Sequence, residues 1–277
     1  MPSDFPCIQG GVGEQVVLCL PGMFGHPEQW RPLMAALAAE FTLLCLGLPL
    51  DYRQGWLNPK APDLEGLTAY VWEFMQAKGL EQVVLCGNSL GGQVAVHLCC
   101  RHPERVQALI LTGSAGLFER SLAGGKFIRV DRQFVDQQAQ LILSNTAVLA
   151  DDYLDGIVNL LRDRRQRLFL VRLAKASSRF DLRLQLSGLH LPVLLVWGRE
   201  DQITPLTVGE EFLARLPQAQ LAVIDHCGHA PPLEQPAAFS QVVRDFLAQL
   251  PREESSPPRR PFSAKQENKF CEESSER

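Results

Sequence analysis

No Cys-x-x-Cys spacing occurs in the 277 residues, although the chain carries 8 cysteines. That absence removes the usual zinc-ligand and dithiol motifs. No apolar run approaches the ~18 residues needed to span a bilayer, so a membrane is not an expected partner. The first residues, MPSDFPCIQGG, lack the basic start and apolar stretch of a secretory signal, and the cytoplasm is the expected compartment. Basic charge is not in excess: 27 Lys and Arg face 31 Asp and Glu, a formal net charge of −4. Without a concentrated basic face, nucleic acid is not an expected partner either. No internal repeat is visible. What remains is 46% hydrophobic and 21% charged, ordinary for a globular protein. The length suits one large domain or a domain with an inserted unit.

The cysteines that are present have a plain reading. Cys19, Cys45 and Cys86 lie in apolar runs, where a thiol packs as a small hydrophobe. Cys99 and Cys100 are neighbours in a helical pattern, so their side chains point in different directions. Reduced thiols of this kind fit a cytosolic protein.

Short apolar runs alternate with helical patterns along the chain. QVVLCL (15–20), FTLLCL (41–46), QVVLCG (82–87), VQALILT (106–112), PVLLVWG (192–198) and QLAVID (220–225) read as strands. Their unbroken apolar character suits a parallel sheet covered on both faces. Between them, Trp30, Leu33, Met34 and Leu37 recur at helical spacing, as do Leu67, Tyr70, Val71 and Phe74. Phe239, Val242, Val243, Phe246 and Leu250 form a third such stripe. Strand–helix–strand order predicts an α/β fold with a doubly wound, mostly parallel sheet flanked by helices. The rhythm breaks between 117 and 186, where only helical patterning occurs, as in Leu154, Ile157, Val158 and Leu161. The expected organisation is therefore a core of 1–116 and 187–250, with 117–186 inserted as a helical cap. Residues 251–277, rich in Pro, Ser and mixed charge, read as a disordered tail.

Chemistry concentrates in three places. Gly87-Asn88-Ser89-Leu90-Gly91 follows the strand VVLC and precedes the helical run GGQVAVHLCC. A serine on a tight strand-to-helix turn has its hydroxyl lifted above the sheet, and its glycine neighbours are needed where backbone passes close. The following helix points free N–H groups at developing negative charge. A serine hydroxyl needs a base to become nucleophilic. HCGHAPPLEQP, after strand 220–225, offers His226 and His229. WGREDQITP, after strand 192–198, offers Asp201 and Glu200 as carboxylates to orient the base; Asp225 is a further rival but ends a strand.

GNSLGG, WGREDQITP and CGHAPPLEQP resemble the nucleophile elbow, acid loop and histidine loop of the α/β-hydrolase fold, in the chain order Ser, Asp, His. The resemblance covers residues ~15–250 on the rhythm of a doubly wound sheet. It implies Ser89 as nucleophile, His229 as base and Asp201 as the residue orienting the base. It also implies an oxyanion hole of two backbone N–H groups: that of Leu90, and that of Met23 in LPGMFGHPEQW, with Phe24 in reserve. Family members usually read His-Gly-X where this chain has Pro21-Gly22-Met23. They often carry a Gly-x-Gly-x-Ser turn where it has LGLPLDYRQGW.

The implied function is serine-dependent hydrolysis of a carboxylic ester or related acyl substrate, a small molecule, through an acyl-enzyme and without metal or organic cofactor. GNSLGG also resembles the elbow of hydrolases that cleave carbon–carbon bonds in aromatic ring-fission products. Those relatives tend to carry Trp after the catalytic histidine, where this chain has Ala230. A third reading is a non-catalytic ligand-binding member of the fold. Other polar residues receive structural readings. His97 is expected to be a packed or surface residue rather than a ligand, His102 to sit at a helix C-terminus, and Arg162–Arg167 to be a solvated helix face, with attraction of an anionic substrate as the alternative. His26 and Trp30 are candidates for contact with substrate beside the oxyanion loop, with a helical core stripe as an equal alternative for Trp30.

Overall fold

Runs that are apolar throughout have no wet face to offer, so they collect into one sheet covered on both sides. The computed structural model, which describes residues 5–120 and 130–251, has a seven-stranded sheet in the order β1-β3-β2-β4-β5-β6-β7. The strands are β1 (Cys7–Gly10), β2 (Val16–Leu20), β3 (Thr42–Leu46), β4 (Val83–Asn88), β5 (Val106–Thr112), β6 (Val193–Gly198) and β7 (Ala219–Ile224). From β3 to β7 all neighbours are parallel; β1 pairs antiparallel with β3. Each apolar run expected to be a strand is one. β1 lies outside the expected strands: CIQG is too short and mixed to show a strand pattern, and only its pairing to the sheet edge defines it.

The helices are α1 (Arg31–Leu37), α2 (Leu64–Ala77), α3 (Leu90–Arg101), α4 (Arg132–Ile142), α5 (Asp151–Arg162), α6 (Arg164–Arg179), α7 (Arg183–Leu186), α8 (Leu206–Arg215), α9 (Pro231–Glu234) and α10 (Pro236–Ala248). Successive strand residues point to opposite faces. Leu18, Leu20, Leu85, Leu109, Leu111 and Leu195 pack with α2, α3 and α8 on one side. Val17, Cys19, Cys45, Val84, Cys86 and Ile110 pack with α1 and α10 on the other. Trp30 is fully buried on this second side, against Phe239, so its stripe belongs to the core. Leu250 is buried although α10 ends at Ala248. The seven described cysteines are free thiols.

Between β5 and β6 the described chain is helical from α4 to α7. Val135, Ala139, Leu154 and Val158 on α4 and α5 form a small apolar cluster of their own. Residues 121–129 of the expected cap lie outside the described residues, as does the expected disordered tail beyond Pro251.

Strand order reverses at β2, with β3 on one side and β4 on the other, which opens a crevice beyond the carboxyl ends of β2 and β4. Register brings the loops to that edge together: Leu20 lies beside Gly87, Asn88 beside Thr112, Thr112 beside Val196, and Gly198 beside Ile224. The segments after β2, β4, β5, β6 and β7 therefore leave the sheet side by side.

Candidate active site

Ser89 stands alone between β4 and α3, with φ 53° and ψ −118°. That backbone is costly for a residue with a Cβ, and it persists because its surroundings hold it. The Ser89 N–H donates to Thr112 O at 3.1 Å. Its carbonyl accepts from Gly92 N at 3.0 Å and from Gln93 N and Ala115 N, both at 3.2 Å. A Cβ on Gly91 would lie 2.3 Å from Leu20 O, and one on Gly87 2.5 Å from Gly91 O, so both glycines of the elbow are required by close backbone. Gly91→Ala is expected to destabilise by about 2 kcal/mol or more, since rigid backbone must move. A thermal melt should register this as a fall of roughly 4–8 °C in Tm.

The acid loop closes on itself around Asp201. Oδ1 accepts the N–H groups of Ile203 and Thr204 at 2.8 and 2.9 Å. Oδ2 accepts the Thr204 hydroxyl at 2.9 Å and faces His229 Nδ1 at 2.9 Å. The Asp201 side chain is fully buried, and that of His229 is 8% exposed. Burial pulls the imidazole pKa down. The charge and hydrogen bond of Asp201, with Glu119 and Glu234 adding to them, outweigh burial and hold it above its ordinary value.

The elbow and this pair meet through β5. Thr112 O, which accepts from Ser89, also takes Asn88 Nδ2 at 3.0 Å, and the same amide donates to His229 O at 3.0 Å. The next residue, Gly113, has φ +50°, and a Cβ there would lie 2.9 Å from His229 Nδ1 and 3.2 Å from Asp201 Oδ2. Glycine is needed where the imidazole and carboxylate rest on the backbone. On the other side of the serine, a Cβ on Gly22 would sit 3.2 Å from Ser89 Cβ, so Pro21-Gly22-Met23 runs against the elbow. Among the described residues, neither Met23 nor Phe24 nor Leu90 gives its N–H to a backbone carbonyl outside the regular elements.

Comparison with known proteins gives this edge a context. The family model described as the alpha/beta hydrolase family matches residues 17–242. The chain belongs to the alpha/beta hydrolase family. It is 28% identical over 263 residues to a 2-hydroxy-6-oxononadienedioate/2-hydroxy-6-oxononatrienedioate hydrolase of Cupriavidus pinatubonensis, covering 87% of this chain and 89% of that one. A monoacylglycerol lipase of Xenopus laevis is 24% identical over 264 residues, covering 87% and 77%. Among solved structures, an alpha/beta hydrolase enzyme from the metagenome of sediments of the Mar Chica lagoon superposes with a TM-score of 0.72. It is 26% identical and covers 90% of this chain and 97% of its own.

The rival candidates of this hydrolase fall away from the cluster. His226 is exposed in the histidine loop, and its carbonyl accepts from the Gln235 side-chain amide. Asp225 is exposed and pairs with Arg199, while Glu200 accepts the Cys227 N–H at 2.9 Å. His97 is buried against Thr68, His102 stacks on Trp72, and His26 caps the turn before α1.

Several groups at the site were not singled out in the sequence. Thr204 is inside WGREDQITP and Glu234 inside CGHAPPLEQP, so both lay in motifs already in view. Glu119, whose carboxyl burial pushes up in pKa, influences His229 from the loop after β5. Tyr153 on α5 donates its phenol to Phe24 O, in the loop of the expected oxyanion donors. Nothing local marks a contact across 129 residues of sequence. Among the described residues no cluster of three or more His, Cys, Asp or Glu could hold a metal ion. No described helix is long and apolar enough to cross a membrane.

Proposed function

We propose that this hydrolase is serine-dependent and cleaves a carboxylic ester or related acyl substrate. The supporting observation is the convergence at one sheet edge of a strained elbow serine with a buried, hydrogen-bonded Asp201–His229 pair. His229 takes the proton of Ser89 as the hydroxyl attacks a carbonyl carbon. The N–H groups of Leu90 and Met23 receive the oxyanion, and Asp201 stabilises the imidazolium. The leaving alcohol takes the proton from His229, and water repeats the cycle on the acyl-enzyme. The helical segment acts as a cap over this edge, a role supported by Tyr153 on Phe24 and by the bond from His229 N to Ile142 O at 2.8 Å.

Neutral imidazole is the reactive form, so activity is lost as pH falls through the His229 pKa. Because Asp201 and its neighbours raise that pKa, the acid limb of kcat/KM is expected above the ordinary imidazole value of about 6.5. A pH profile with p-nitrophenyl acetate reads it; a rate flat well below pH 6 would remove His229 from the role.

A second reading, carbon–carbon bond hydrolysis of a dienoate ring-fission product, draws on the name of the Cupriavidus relative. A panel of esters of rising chain length beside a dienoate product separates the two. Faster turnover of the dienoate would displace the ester reading while leaving the serine in place.

A further inference from the structure

His229 is followed by a short turn that ends α9 at Glu234, whose side chain is buried. Glu234 Oε2 accepts the Ser144 N–H at 2.7 Å, the Ser144 hydroxyl at 2.8 Å and the Gly228 N–H at 2.9 Å. Oε1 accepts the Ala230 N–H at 3.1 Å. Gly228 and Ala230 flank His229, so a single carboxylate grips the backbone on both sides of the imidazole. Ser144 lies just beyond α4, in the helical segment, two residues from the Ile142 carbonyl that accepts the His229 N–H.

Four donors converge on two oxygens, an arrangement that suits an ionised carboxylate. An amide in its place would set an N–H against an N–H. Burying a charge is unfavourable unless it is fully hydrogen-bonded, and this one is used to join two parts of the chain.

We propose that Glu234 is a positioning residue for His229, locking the histidine loop onto the end of α4 so that the base is placed only when the helical segment is docked. The proposal rests on the reading of His229 as general base. The charged groups acting on His229 are Asp201 from the loop after β6, Glu119 from the loop after β5, and Glu234 from its own loop. The adjacent Cys227 thiol, pushed up by burial and by the Glu234 charge, stays neutral. Glu234 thus supports His229 in two ways, by geometry and by a negative charge that favours the imidazolium.

Glu234→Gln in the full chain tests both. The expected kcat, per mole of folded protein, falls roughly a hundredfold, the scale of a misplaced catalytic group, while KM changes little. The acid limb moves to lower pH, because a charge that raised the imidazole pKa is gone. Ser144→Ala, which removes one of the four bonds and keeps the charge, should lower kcat modestly and leave the limb in place. A loss confined to the yield of folded protein, with wild-type kcat per folded molecule and an unmoved limb, would mark a merely structural role and overturn the proposal. Should Glu234→Gln fail to fold, Glu234→Asp keeps the charge on a shorter arm. Reduced kcat with the wild-type limb then supports the proposal, and wild-type kcat sinks it. His229→Ala separates the two levels. If it still labels and turns over, the base reading and this proposal fall together. If it is inert while Glu234→Gln behaves as wild type, only this proposal fails.

Discussion

Ser89→Ala is expected to fold normally and to lose turnover of p-nitrophenyl acetate by roughly 10⁶-fold, the scale seen when a serine hydrolase loses its nucleophile. The bonds that hold the elbow run through the Ser89 main chain, to Thr112 O and from Gly92, Gln93 and Ala115 N–H groups. Alanine keeps all of them, so a melt should show an unchanged or slightly raised Tm. Labelling by a fluorophosphonate disappears at the same time, because the probe requires an activated hydroxyl. A non-catalytic ligand-binding protein would behave differently, with wild type and variant equally inert and equally unlabelled. A variant that turns over as wild type does would end the serine reading. The labelling experiment needs no knowledge of the natural substrate.

Legibility in the sequence followed the range of each interaction. The strands β2 to β6 are legible because a parallel strand buried on both faces is apolar almost throughout, as VVLCL and VLLVWG are; β7, an edge strand that is only partly buried, is legible from the short apolar run that follows Gln220. The Ser89 elbow was visible because the backbone contacts that demand Gly87 and Gly91 lie within a few residues of it or on the adjacent strand. The apolar spacing of the last helix extends to Leu250, which is buried, but the helix stops before it. Edge strand β1 was invisible since its only distinguishing feature is the partner it pairs with. Nothing beside Gly113 in the sequence marks it, because what demands glycine there is a histidine and a carboxylate from two later loops. Tyr153 and Ser144 belong to the same class. Their chemistry is a hydrogen bond to a distant loop, and sequence periodicity carries no record of it.

Asp201→Asn is expected to lower kcat by about 10⁴-fold with the fold intact, which is the scale of a histidine held in the wrong tautomer. Oδ1 of Asp201 receives two backbone N–H groups, so the asparagine must keep its oxygen there. Its amide nitrogen then takes the place of Oδ2 and points a proton at His229 Nδ1. The imidazole answers by carrying its own proton on Nε2, the nitrogen that should accept from the serine. Loss of the charge also leaves burial as the stronger influence on His229, so any residual activity should persist to lower pH than in wild type. Fluorophosphonate labelling should slow in parallel, since it uses the same base. Asp225→Asn, on a pair whose partners are both more than half exposed, is the control and should match wild type. An Asp201→Asn protein within tenfold of wild type would assign the orienting role elsewhere, and Glu119 is then the carboxylate to replace.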